Sequence, residues 1–225
     1  PQIRVIENGP ARAAVEVRRT AAGSTIVQRI SLDEGGDRVD VENIIDWKSP
    51  NTLLKASFPF AASNPKATYD LGLGTIERTS NEPDKYEVPA QKWANIDDTS
   101  GTFGAGIIND SKYGWDKPDN NTLRLTLLHT PRPNTSYTYQ SSNDLGHHRF
   151  IYSVAGHGGD WRQGRMPVRA MQLNQPLVAF QTTAHAGPLG RAYSMVTLLS
   201  NGLPETTGQI AVVAMKKAED SDEVI

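Results

Sequence analysis

The sequence predicts an all-β protein, an antiparallel two-sheet β-sandwich with one short helix. Alternating runs separated by turn residues dominate the chain, recurring at the roughly 8–12-residue spacing of a β-meander. Only Pro167 to Asn174 carries a helical pattern, with Pro167 suited to a first helical position and Pro176 marking a stop. The third observation is the stretch from Thr102 to Leu128. Phe103, Ala105 and Ile107 share one parity and Gly104, Gly106 and Ile108 the other, so no polar face exists before Asn109 and burial on both sides follows. Leu123, Leu125 and Leu127 then alternate with Thr122, Arg124 and Thr126, the pattern of a strand with one solvated face.

Taken in order, Ile3 to Glu7 and Ala11 to Arg19 form an opening hairpin around Asn8-Gly9, a pair that supplies the positive φ angles of tight turns. Ala22-Gly23 turns into Thr25 to Leu32, and Gly35-Gly36 turns into Arg38 to Ile45. Asn51 to Phe60 is a further strand, with Leu54, Ala56 and Phe58 on one side. From Ala67 to Trp93 the pattern loosens into loop and short strand; Gly72-Leu73-Gly74 lacks the third glycine and the following helix of a dinucleotide fingerprint. Asn134 to Leu145 reads as loop and Gly146 to Val154 as strand, and Ala192 to Leu199 and Gln209 to Lys216 as closing strands. A last apolar run starts at Asp222 to Ile225.

A chain of 225 residues can bury a sufficient core as one domain, taken here as residues 1–225, without metal or disulfide staples. Cysteine is absent, which excludes disulfides and thiolate chemistry. Lys plus Arg is 23 and Asp plus Glu is 25, and the formal charge of -2 without a basic run points away from nucleic acid. No apolar run approaches the roughly 18 residues of a membrane span, so no membrane partner is expected. Pro1-Gln2-Ile3-Arg4 carries neither an initiator Met nor a signal-peptide profile, and the chain reads as part of something longer.

The candidate site lies between the two central strands, from Asn109 to Asn121, a span dense in side chains that recognise polar ligands. Asn109, Asp110 and Lys112 offer hydrogen bonds to hydroxyls, and Tyr113 or Trp115 a stacking face. The alternative is a self-satisfied turn in which Asp110 and Ser111 cap local amides. Trp47, Trp93 and Trp161 read as core-edge rings. His157, flanked by Gly156 and Gly158, is a candidate ligand-facing imidazole. Asp144, His147, His148 and His157 form the densest imidazole group, but adjacent strand residues point to opposite faces, so no metal site and no cofactor is expected in this chain. No carboxylate pair has a spacing that assigns acid and nucleophile. Three triplets, at Asn109, Asn120 and Asn134, fit a glycosylation pattern that also recurs by chance.

Glu7-Asn8-Gly9-Pro10, Asn43 to Trp47, Leu53-Leu54-Lys55 with Phe58-Pro59, Glu87 to Trp93, Asn109 to Gly114, Leu123 to Leu128, Gly158 to Trp161, Leu173 to Leu177 and Met215 to Asp220 together resemble the C-terminal β-domain of the family 38 glycoside hydrolases. These are the retaining α-mannosidases, and the resemblance is to their bacterial and cytosolic branch. One departure is Gly156 before His157, where the family pattern has Pro. The resemblance implies a galactose-mutarotase-like supersandwich and a cytoplasmic location. It also implies a catalytic α/β barrel N-terminal to this region, holding an Asp nucleophile and a zinc ion bound through a His-x-Asp pair. No His-x-Asp occurs here. The reading is therefore an accessory C-terminal domain, catalytically silent alone, that packs on the barrel, helps shape a cleft for α-mannosides and self-associates when that face is bare. An independent carbohydrate-binding module and an epimerase-type enzyme of the supersandwich fold stay open as alternatives.

Overall fold

The structure is a computed structural model that describes residues 1–84, 87–132, 136, 143–200, 203–204, 212 and 214–225. Two compact units result, Pro1–Pro176 and Leu177–Ile225. In the first, β1 (Gln2–Asn8), β2 (Arg12–Ala21), β3 (Ser24–Asp33) and β4 (Val39–Trp47) form the predicted meander. They continue into β5 (Thr52–Pro59), β6 (Lys66–Asp70), β7 (Thr75–Thr79), β8 (Val88–Pro89) and β9 (Trp93–Asp97). The unit ends with β10 (Phe103–Asn109), β11 (Gly114–Asp116), β12 (Thr122–Thr130), β13 (Gly146–Gly158) and α1 (Met166–Asn174). Every pairing is antiparallel.

A nine-stranded sheet runs β1-β2-β3-β4-β13-β10-β9-β6-β7, and a four-stranded sheet runs β5-β12-β11-β8. The predicted antiparallel sandwich is what the chain builds. Ile45, Trp47, Tyr69, Ile96, Ile107 and Phe150 from the large sheet meet Trp115, Leu123, Leu125 and Leu128 from the small one in the main core. The alternation in β5 and β12 explains the second layer: Leu54, Ala56 and Phe58 face inward with the leucines, while Lys55 and Arg124 face out. A register shift between Thr126 and Leu128 turns Leu128 inward as well as Leu127.

The far face of the large sheet carries a second, smaller core of Trp93, Ile108, Ala155, Met166 and Ala170. β10 makes this possible because its outer parity is Gly104, Gly106 and Ile108. A Cβ added at Gly106 would lie 2.7 Å from the Ala94 carbonyl oxygen, the Asn95 side chain and the Met166 methyl. The helix therefore rests almost directly on backbone. Strand β10 is covered on both sides, as its apolar run requires.

Several local expectations change. Asn8-Gly9 does not turn through positive φ; the bend spans Gly9 to Ala11, with Gly9 N–H donating to Arg12 O at 3.1 Å, because Pro10 restricts the residue before it. Ala22 and Gly23 do adopt positive φ, 48° and 78°, the pattern of a tight primed hairpin turn. The loose stretch after Ala67 contains the β6–β7 hairpin, and β9, unread in the sequence, is a buried central strand. In the second unit Ala192 to Leu198 is not strand; β14 (Leu199–Ser200) pairs with β15 (Leu203–Pro204). Of the closing strand expected at Gln209 to Lys216, residues 209–211 and 213 lie outside the described residues and the remainder is irregular. The loop expected at Asn134 to Leu145 also falls largely outside the described residues. Lys216 and Ile225 exchange backbone hydrogen bonds at 2.9 and 2.8 Å, so the last apolar run folds back on the chain.

Gly106→Ala tests the close approach. Its new Cβ meets a backbone oxygen that cannot rotate away, and thermal or denaturant unfolding is expected to show a loss of about 1–3 kcal/mol.

Candidate functional site

Asn109 ends β10 fully buried. Its side-chain nitrogen donates to Gln91 O at 3.1 Å, its Oδ1 accepts from Lys112 N–H at 2.6 Å, and its carbonyl accepts from the Asn174 side chain at 3.0 Å. One amide thus ties strand, loop and helix end together. Asp110 exchanges bonds with β13: its N–H donates to Ile151 O at 3.2 Å and its Oδ2 accepts from Ile151 N–H at 3.0 Å. Ser111 Oγ donates to the other carboxylate oxygen at 2.8 Å. The Lys112 ammonium stands 4.3 Å from the Phe150 ring centroid. Burial lowers its pKa, and the nearby Asp144 and Asp110 carboxylates act against that shift.

These contacts make Asp110 to Tyr113 a turn whose polar groups satisfy one another. Tyr113 is the aromatic side chain of this turn facing solvent, at 53% exposure, while its carbonyl accepts from Ala90 N–H. Trp115 is not available to stack on a ligand, which corrects that expectation. Gly114 to Asp116 pairs with β12 and β8 as β11, and this turns the indole into the main core at 0% exposure. Its Nε1 has no hydrogen-bond partner among the described residues. The sequence showed a continuous polar loop here, and only the pairing reveals a strand within it.

His157 also differs from a ligand-facing loop imidazole. It belongs to the far end of β13, with its side chain 2% exposed. The ring fills the space that Gly104 and Gly164 leave open: a Cβ on Gly104 would be 2.5 Å from the ring, and one on Gly164 2.3 Å. Nε2 lies 2.9 Å from Asn95 Oδ1, and the Asn95 side-chain nitrogen donates to Asp97 Oδ1 at 2.6 Å. Burial raises the Asp97 pKa, opposed by the Trp161 backbone N–H and by His157. This buried relay was invisible in sequence, because Asn95 and Asp97 lay in an unread strand.

His147 and His148 sit at the opposite end of β13, roughly 30 Å from His157 along an extended strand. The His148 ring meets the Asp144 carbonyl oxygen at 2.7 Å. Among the described residues no three His, Asp or Glu side chains come together as metal ligands. Two further charged clusters are paired. On the outer face of the small sheet Lys55 bridges Asp116 at 2.7 Å and Glu87 at 3.1 Å, with Arg124 on the other oxygen of Asp116. On the large sheet, Arg4 and Arg29 hold Glu16, and Arg29 and Arg149 hold Glu42, lining a cavity of about 500 Å³.

Comparison with solved structures finds the same fold within longer chains. The chain superposes on an alpha-mannosidase from Enterococcus faecalis with a TM-score of 0.80 at 16% identity, covering 99% of this chain and 29% of that one. A second Enterococcus faecalis structure, a protein in glycosyl hydrolase family 38, gives 0.74 at 15% identity, with 99% and 30% covered. Residues 1–135 match the glycosyl hydrolases family 38 C-terminal domain, and the chain belongs to that family. It is 28% identical over 227 residues to Alpha-mannosidase G of Dictyostelium discoideum, covering 96% of this chain and 20% of that protein. Against Alpha-mannosidase 2C1 of Mus musculus it is 29% identical over 178 residues, or 77% and 16%. The chain therefore spans a fifth or less of these curated relatives.

Removing the Asp110 carboxylate should release both Ile151 N–H and the turn. Asp110→Ala is expected to cost about 1–3 kcal/mol in unfolding experiments, whereas Ser111→Ala, which removes an exposed donor, should change stability by less than about 0.5 kcal/mol.

Proposed function

We propose that this chain is the accessory C-terminal domain of a retaining α-mannosidase, packing on a catalytic half supplied by the same polypeptide and helping to shape the cleft for terminal α-linked mannose. The observation that carries this is the match of residues 1–135 to the family's C-terminal domain, in a chain that corresponds to only 16–20% of its curated relatives. Catalytic carboxylates and a zinc ion belong, on this reading, to the catalytic half. Apolar side chains in the second unit support the docking: Leu177, Val178 and Phe180 are 101%, 87% and 86% exposed, more than a chain segment leaves in water without a partner. In the full-length protein these side chains lie against the catalytic half.

The loop contributes to the cleft through Tyr113. Asn109, Asp110 and Lys112 are engaged in the turn that carries that ring, and Trp115 and His157 are buried within the domain away from sugar. A stacked aromatic contributes roughly 0.5–1.5 kcal/mol, equivalent to roughly two- to tenfold in kcat/KM. The purified chain alone is expected to leave an aryl α-mannoside intact. In the full-length enzyme Tyr113→Ala should lower kcat/KM for the same substrate by that factor with an unchanged Tm. Zinc-dependent hydrolysis by the isolated chain would overturn the accessory reading, and unchanged kinetics in the variant would remove Tyr113 from the cleft.

A further inference from the structure

We propose that Leu73, at the tip of the β6–β7 hairpin, is the anchor by which the first unit docks on the catalytic half of its own polypeptide. The tip is built to hold this side chain out. Asp70, buried at the end of β6, spends three acceptors on fixing it. Its Oδ1 accepts from Gly72 N–H at 2.8 Å, its Oδ2 from Lys92 N–H at 2.9 Å, and its carbonyl from Gln91 N–H at 2.8 Å. Leu71 N–H closes the turn on Gly74 O at 2.9 Å, and Gly72 stands at a φ of 86°, a conformation that strains any residue with a Cβ. On the neighbouring edge strand Arg78 donates to Pro89 O at 2.8 Å and lies over the Tyr69 ring. Leu73, held by this frame, is 96% exposed.

A single exposed leucine needs no explanation, but this one has company. Leu71 beside it is 46% exposed, and the Tyr113 ring of the candidate loop belongs to the same end of the sheet. The register fixes that placement: Tyr69 pairs with Ala94 and Trp93 with Ile108, so the end of β6, the start of β9 and the end of β10 lie side by side. Residues 90–92 join the hairpin tip to the turn. Ala90 N–H donates to Tyr113 O at 3.0 Å and the Asn109 side chain to Gln91 O at 3.1 Å, while the Gln91 and Lys92 amides hold Asp70. A side chain on so rigid a mount gives up little conformational freedom when a partner covers it.

The docking rests on the reading of the chain as an accessory domain with Tyr113 at the rim of the cleft, and it names a contact between the two halves. Two features select the occupant. The chain spans a fifth or less of its curated relatives, so a partner within the same polypeptide is at hand. A cleft rim also lies where two halves meet, which brings the catalytic half to the end of the sheet that carries Tyr113. A second copy seated on Leu73 would instead close over Tyr113 and shut the cleft. The surface that Leu73 meets on the catalytic half is apolar, as removing a leucine from water requires.

Hydroxyl-radical labelling of the full-length enzyme, native and urea-unfolded, reads the burial of each side chain. Leu73 should be labelled at least about tenfold more slowly in the native enzyme, the factor by which full burial cuts a side chain's contact with water. A native rate equal to the unfolded one overturns the docking. If Leu177, Val178 and Phe180 are then protected while Leu73 is not, the accessory reading stands and the anchor alone fails; if all four are labelled at the unfolded rate, both fail. Leu73→Asp places a charge in the contact and should bring Leu71 towards its unfolded rate, with the molar mass from light scattering unchanged. A variant whose mass falls to that of a smaller assembly shows that a second copy covered the leucine, and overturns the proposal. If the variant does not fold, labelling of the diluted wild-type enzyme decides: protection that fades as an assembly dissociates belongs to a second copy, and protection that persists supports the docking.

Discussion

Backbone-close packing on both faces of β10 is the constraint on which the rest of the structure depends. Inward, Ile107 joins the main core with Ile45, Tyr69 and the leucines of β12. Outward, Gly104 and Gly106 remove side chains so that the His157 ring and the Met166 methyl can lie against peptide groups. A regular sheet with side chains at both positions would hold α1 about a methyl group further away and open the cluster around Trp93. The helix has little to hold it otherwise. It is nine residues long, it starts after Arg165 at a left-handed φ of 51°, and it lacks a side-chain cap at its N-terminus. Its stability comes from the sheet beneath it.

Apart from the Trp115 indole nitrogen, buried polar side chains in this assembly repeatedly have fixed partners. Asn43, fully buried in β4, donates to Val41 O and accepts from Gln28. Asp70 accepts from Gly72 and Lys92 amides, while Asp116 lies between Lys55 and Arg124. Lys117 is buried, and among the described residues no carboxylate forms an ion pair with it. It donates instead to Ser80 and Asp119 O, and burial lowers its pKa. The same habit explains the candidate loop, whose acidic and basic residues are spent on its own conformation. Tyr113 is the aromatic side chain that this turn leaves exposed.

The fold class was legible because period-two alternation and glycine turns report directly on which faces are buried. The meander, the hairpin at Ala22-Gly23, the double burial of β10 and the single helix were all visible in this way. Family membership was legible too, through motifs running in order along the chain. The short strands β9 and β11 were not. In Trp93-Ala94-Asn95-Ile96-Asp97 the polar residues point into a buried relay, and Gly114-Trp115-Asp116 is too short to show a period. The candidate site suffered from the same limitation. A run of Asn, Asp, Ser and Lys looks identical whether its side chains face a ligand or each other, and only the pairing of Asp110 with Ile151 across the sheet separates the two. The relay from Asp97 through Asn95 to His157 joins β9 to β13, strands far apart in sequence, and no local pattern could display it.

Residue-resolved hydrogen exchange tests the architecture most directly. If double-sided cover of β10 organises the first unit, the amides of Ile107, Ile108 and their partners Val154 and Ser153 on β13 exchange only through global unfolding, and together they set the slowest rates in the chain. The edge strands β1 and β7 exchange through smaller openings. Slowest exchange confined to the β2–β3 hairpin, with β10 opening as readily as the edges, would contradict the account.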